Sequence, residues 1–150
     1  MDFHMAADLP HSPQRVWEVM VDIARIASCI PGCEQIVEVG RLESYTAVMK
    51  QKIGPFRLEV PASIVVEEHE EPNRIRARAF GRDKLTGTTL NVVFDVGVAP
   101  HAETGSRLEV NASLQVAGRL ASLGHSVIKK RAEENFSQFE TSFRAQLEAI

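Results

Sequence analysis

The sequence predicts an α+β fold in which a seven-stranded curved antiparallel sheet wraps round a long C-terminal helix, with two short helices after the first strand. Three observations predict it. Between Glu34 and Gln115 apolar residues recur at every second position through six successive runs, the period of strands with one buried face. One further alternating run and two short helical patterns precede them. After Gly118 no proline occurs, and the apolar period lengthens to that of a helix. Alternation confines the apolar residues to one side, so the sheet turns one face to the helix and the other to water, as antiparallel sheets permit.

Each element has its own signal. Phe3, Met5, Ala7 and Leu9 alternate with more polar neighbours and make the first strand. Ser12-Pro13 supplies an N-cap followed by proline at the first helical position, and Val16, Trp17 and Met20 follow at helical spacing. A second short helix is expected from Ile23 to Cys29, stopped by Pro31-Gly32. Val37 and Val39 then lead to Gly40-Arg41, and Tyr45, Ala47, Met49 and Ile53 lead to Gly54-Pro55. The longest alternation, Phe56, Leu58, Val60, Ala62, Ile64 and Val66, runs to Glu71-Pro72. Ile75, Ala77 and Ala79 alternate with Arg74, Arg76 and Arg78. Thr88, Leu90, Val92, Phe94, Val96 and Val98 lead to Pro100, and Leu108, Val110, Ala112, Leu114 and Val116 close the series at Gly118. The stripe Leu120, Leu123, Val127, Ile128, Ala132, Phe136, Phe139, Phe143 and Leu147 predicts one helix from Arg119 to Leu147, roughly 45 Å long and able to lie across the whole sheet.

Composition narrows the function. The 150 residues fit a single domain, 1–150, of a size that buries roughly 70% of its unfolded surface. Seventeen lysines and arginines against 20 acidic residues give a net charge of −3, which disfavours a nucleic-acid partner. The N-terminus lacks a signal-peptide pattern and no stretch reaches about 18 apolar residues, so the expectation is a cytoplasmic protein with at most transient contact at the inner face of the membrane. Cys29 and Cys33 have no further Cys or His cluster to complete a zinc site and read as reduced thiols; no metal and no cofactor is implied. Glu67-Glu68-His69-Glu70-Glu71 reads as a solvated turn, and Arg74, Arg76 and Arg78 as a charged outer face paired with Glu59 or Glu67.

A strongly twisted sheet wrapped round a helix encloses space unless large side chains fill it. Small residues at concave positions, Ala62, Ala77, Ala79, Gly81, Gly87 and Ala112, predict an apolar hollow for a lipophilic small molecule. The expected lining is Tyr45, Met49, Phe56, Leu58, Val60, Ile75, Ala77, Thr88, Leu90, Val92, Phe94, Leu108, Val110, Ala112, Val127 and Phe136, with Tyr45 and Thr88 as the polar groups placed to orient a ligand. Strand direction gathers Pro31, Gly32, Gly54, Pro55, Gly118 and Leu120 at one end, the expected mouth. The alternative is that Phe94, Phe136, Phe139 and Phe143 fill the interior and leave an interaction adaptor. A cyclase or hydrolase would need acid and base groups inside, and the inward set is almost entirely aliphatic.

Pro13, Val16, Trp17, Asp22 and Ile30-Pro31-Gly32-Cys33, followed by Ile53-Gly54, Gly81, Gly87 and the segment Val116 to Gly124, form an ordered set spanning the chain. In this set the sequence resembles the G-subunit family of carbon monoxide dehydrogenase, within the START/SRPBCC-like helix-grip superfamily. The resemblance implies a helix-grip fold, no catalytic activity of its own, and an accessory role beside a molybdenum hydroxylase, with the cavity suited to a lipophilic quinone. Many members carry a linker and a membrane-seeking C-terminal segment, whereas this sequence stops at Ile150 with the long helix; at most transient membrane contact is therefore expected.

Overall fold

The computed structural model describes residues 1–148. Strand β1 (Asp2–Leu9) is followed by helices α1 (Pro13–Met20) and α2 (Ile23–Ala27), then by β2 (Cys33–Gly40), β3 (Ser44–Ile53), β4 (Phe56–Glu70), β5 (Arg74–Arg82), β6 (Thr89–His101) and β7 (Gly105–Ala117). A 3₁₀ turn (Arg119–Leu123) leads into α3 (His125–Glu148). All seven strands form one antiparallel sheet in the order β1-β7-β6-β5-β4-β3-β2, so β1 closes onto the last strand and β2 is the opposite edge.

Local chemistry explains the helix starts. Ser12 Oγ accepts from the Arg15 N–H at 3.2 Å with Pro13 next in line, and Asp22 Oδ1 accepts from the Arg25 N–H at 3.3 Å, so each short helix has a capped N-terminus. The second helix ends at Ala27, two residues before the expected limit, and a turn carries the chain to Pro31.

Two features depart from the pattern read in the sequence. The long helix is broken: Gly124 sits at φ +91°, a left-handed conformation that glycine adopts without strain, and separates the 3₁₀ turn from α3. The continuous part has 24 residues and spans roughly 36 Å. In β2, Gln35 takes φ +53° and the register slips between Glu34 and Val37. A one-residue slip turns side chains to the other face, which leaves Val37 and Val39 56% and 67% exposed instead of packed inward.

The outer face of the sheet is tied by charge. Arg74 on β5 grips Asp95 on β6 through a two-pronged pair, Nε–Oδ1 at 2.8 Å and Nη2–Oδ2 at 2.6 Å, while Arg76 approaches Asp95 at 3.5 Å and Glu67 at 3.8 Å. The hydrogen bonds from Arg74, with the nearby positive charges, hold the Asp95 carboxyl below the usual carboxylate range. Of the two acidic partners expected for the arginine stripe, Glu67 is engaged.

The apolar core is divided. One cluster, at the C-terminal end of α3, joins Ala7, Leu9, Ile75, Val98, Leu108 and Val110 to Val16, Trp17, Val19 and Met20 of α1 and to Phe143 and Leu147. The other, at the start of α3, joins Ile53, Leu58 and Val60 to Leu120 and Ile128.

Candidate ligand-binding site

Register places one side of the sheet against α3. Tyr45, Ile64, Ala79, Val92 and Leu114 lie opposite one another across β3 to β7, and Val66, Ala77 and Phe94 form the next such row toward the α1 cluster. Ala62, Ile64, Ala77, Ala79 and Val92 belong to neither core cluster and are only half-buried. Above them α3 comes close to the sheet on its two flanks, at β1 and at β3. The helix presents half-buried Ala132 between Ile128 and the Phe136–Phe139 step. The inner wall thus has packed ends and an incompletely covered middle.

The expected lining residues divide accordingly. Leu58 and Val60 are packed into the cluster beneath Leu120, with Met49, Phe56 and Leu90 half-buried against it. Ile75, Leu108 and Val110 are packed into the α1 cluster, with Phe94 against it. Tyr45 and Ala112 are buried, and Ala77 and Val92 border the uncovered middle. Phe136 is half-buried against Phe3 of β1, ring centroids 5.5 Å apart. Val127 is 44% exposed on the outer side of α3, because the break at Gly124 resets the phase of the helix relative to the stripe counted from Leu120.

Both hydroxyls expected to orient a ligand accept hydrogen bonds from the chain itself. Tyr45 Oη accepts from the Leu42 N–H at 2.9 Å, bracing the β2–β3 turn. Thr88 is fully buried; its Oγ1 accepts from the Leu120 N–H at 3.3 Å and from the Thr86 hydroxyl at 2.8 Å. It clips the 3₁₀ turn to the β5–β6 loop. Asp83, also buried, holds that loop by accepting from the Leu85 N–H at 2.9 Å and the Glu59 N–H at 3.4 Å.

At the end where a mouth was expected, Gly118 and Leu120 pack as a cap, with Gly54 beside Leu123. Leu120 is 1% exposed, and a methyl on Gly54 would touch Leu123 at 3.5 Å. Gly118, at φ +92°, lies so close to the Gly87 and Thr88 backbone that a Cβ would be 2.8 Å from Thr88 Cα. The Pro31–Gly32 turn docks on β3, where Lys50 N–H donates to Gly32 O at 2.8 Å; Pro55 is exposed at the tip of the β3–β4 turn. Two of the small concave positions are small for local reasons. A side chain at Gly81 would strike the Pro61 carbonyl and, at 2.7 Å, Val60; Gly87 is a turn residue at φ +66°.

Space between helix and sheet opens sideways instead. A cleft of about 470 Å³ lies along the β1 edge, where Phe3, Met5, Val110 and Phe136 form its floor and Asp2, His4, Lys129, Glu133, Ser137 and Glu140 its rim. A second cleft, about 590 Å³, lies on the outer face around Pro61, Phe80, Asn91 and Gln115.

Sequence reasoning missed two inward polar residues: Ser106, fully buried and donating to the His11 carbonyl at 2.8 Å, and Gln51. Gln51 continues the Tyr45, Ala47, Met49 alternation and pairs with buried Leu58, which puts its side chain on the concave side. Its Nε2 donates to Pro31 O at 2.6 Å, and its Oε1 accepts from Arg131 Nε at 3.1 Å and Asn135 Nδ2 at 3.4 Å. The alternation itself could have found it. Burial pushes both cysteine thiols up from their ordinary range, with Glu34 adding to the effect at Cys33 and Arg25 and Ser28 opposing it at Cys29, so both are free, protonated side chains. Among the described residues no three His, Cys, Asp or Glu side chains converge as a metal site would require, and no helix is long and apolar enough to cross a membrane.

Solved structures share this architecture. A conserved protein from Geobacillus kaustophilus superposes with a TM-score of 0.87 at 19% identity, covering 98% of this chain and 95% of its own. A START superfamily protein from Mycobacterium smegmatis gives 0.72 at 13% identity over 98% and 97% of the two chains. An aromatase/cyclase from a Streptomyces species gives 0.70 at 13% identity over 99% and 93%. At these identities the likeness concerns the fold, which is the START/SRPBCC helix-grip. Comparison with curated proteins finds no match. The family model for the G subunit of carbon monoxide dehydrogenase (CoxG) matches residues 6–148, nearly the entire sheet-and-helix unit just described, and the chain belongs to that family.

Proposed function

We propose that this chain binds a lipophilic small molecule, of the size and character of a quinone, between the concave face of its sheet and α3, as a non-catalytic accessory to a molybdenum hydroxylase. The divided core carries this reading. A domain this size ordinarily packs one contiguous core, because unfilled apolar space forfeits dispersion contacts. Here the row from Ile64 to Val92 is left half-buried between two well-packed ends, with small Ala62, Ala77 and Ala79 on the inner face of the sheet and Ala132 half-buried on α3. An apolar guest would complete that middle. Entry along the β1–α3 cleft fits its apolar floor, since the loop end is capped. An accessory role rather than catalysis fits a concave wall whose middle is made of Ala62, Ile64, Ala77, Ala79 and Val92, with no acid–base pair among them. Family membership supports the association with a hydroxylase.

Equilibrium titration with diphenylhexatriene, a neutral hydrocarbon whose fluorescence rises in apolar surroundings, tests the reading. Saturable binding of about one molecule per chain, competed by a short-chain quinone, is the expected result. Absence of saturable binding, or binding that the quinone leaves untouched, would contradict it.

A further inference from the structure

We infer that Gln51, Arg131 and Asn135 form a head-group subsite that selects lipophilic molecules carrying an acceptor oxygen. This rests on the ligand-binding reading above and adds to it where, and by what chemistry, the polar end of the guest is held. In the inward alternation of β3 to β7, Gln51 is one of few polar residues: Tyr45 and Ser106 are buried hydroxyls, Ser106 donating to the His11 carbonyl, and His69 is exposed at the far end of β4. Arg131 and Asn135, one helical turn apart on α3, meet it from above, on the flank where the helix approaches β3.

The hydrogen-bond inventory of the three leaves donors to spare. Gln51 is spent: its amide N–H₂ reaches the Pro31 carbonyl, and its one carbonyl oxygen takes both partners from the helix. Gln51 therefore positions the other two. Arg131 uses Nε on Gln51 and Nη1 on Glu134 at 3.4 Å, which leaves Nη2 with no protein acceptor among the described residues. A guanidinium has five N–H donors and no acceptor, and Asn135 Nδ2 brings a second donor beside it. A half-buried donor group next to an apolar wall suits a carbonyl or carboxylate oxygen on an otherwise apolar molecule. The interaction fixes which end of the guest lies at Gln51, with its apolar body extending along the inner face toward the Ile64–Val92 row.

Three probes with one body separate the possibilities: diphenylhexatriene, its propionic acid, and the methyl ester of that acid. Arg131→Met should weaken the acid by about tenfold, the scale of one charge-assisted hydrogen bond, and leave the hydrocarbon within about twofold. Gln51→Leu, which removes the group that positions Arg131, should act in the same direction, and Arg131→Lys should restore binding of the acid. If the ester weakens along with the acid, the subsite reads an oxygen acceptor such as a ketone; if the acid alone weakens, it reads a carboxylate. Either result upholds the inference. Equal weakening of all three probes by Arg131→Met, with a lowered melting temperature, would show a clasp between helix and strand and overturn it. Should Arg131→Met fail to fold, Asn135→Leu carries the same comparison, with equal weakening again the overturning result. Failure of the wild type to bind even the hydrocarbon would instead overturn the ligand-binding reading beneath it.

Discussion

Phe143→Ala is expected to lower the stability of the chain by about 3–5 kcal/mol, the cost of emptying a large aromatic site in a packed core. Phe143 is 2% exposed, stacks on Phe139 with centroids 5.8 Å apart, and joins the C-terminal part of α3 to α1 and to Ile75, Val98 and Leu108. In a domain of this length the loss corresponds to a melting temperature lower by roughly 10 °C. Val92→Ala provides the contrast. Val92 sits in the half-buried middle row, where removing two methyls creates no new void, so a cost of no more than about 1 kcal/mol is expected. Urea unfolding midpoints of the two variants measure the difference directly. Similar, large losses at both positions would mean that the middle of the sheet is as tightly packed as its ends.

Ala79→Trp carries the largest expected effect on binding. Ala79 lies opposite Ile64 on β4 and Val92 on β6, none of the three in either core cluster, so an indole there projects into the uncovered middle. Overpacking a filled core costs typically about 1–3 kcal/mol, whereas occupying vacant apolar space is tolerated. The variant should therefore melt close to wild type and lose uptake of diphenylhexatriene almost completely. Arg78→Trp, one residue away, is the control: Arg78 is on the outer face and stacks over Phe80, with its guanidinium 4.8 Å from the ring centre. It should retain uptake. Arg76 is a poorer control because its loss also removes contacts to Asp95 and Glu67. Strong destabilisation by Ala79→Trp would favour a filled interior and the adaptor reading.

The order of elements and the facing of most strands were legible because each has a short-range cause. Period-two alternation survives translation into register with little loss from β3 to β7, and the Ser12-Pro13 cap appears in the structure as Ser12 Oγ on the Arg15 N–H. What escaped depends on single residues acting over distance. The bulge at Gln35 turns Val37 and Val39 outward although their spacing matches an inward strand. Gly124 breaks a helix whose apolar stripe is continuous in sequence, and that break decides the exposure of Val127. Turn glycines and prolines mark where strands end, yet their type carries no information on whether the loops part or pack; Leu120, Leu123 and Thr88 make that end a cap. The alternation of β3 places Gln51 inward, but what makes it a site is Arg131 and Asn135, about 80 positions later, which come to lie across from it.

The central claim is that the space between the sheet and α3 is where a lipophilic molecule sits, and backbone amide shifts on saturation with a short-chain quinone test it most directly. The account predicts the largest shifts at Ala62, Ala79 and Val92 on the sheet and at Ala132 and Asn135 on the helix, with Phe3 and Met5 affected along the entry cleft. Shifts confined to the outer cleft around Phe80, Asn91 and Gln115, or none at saturating quinone, would contradict it.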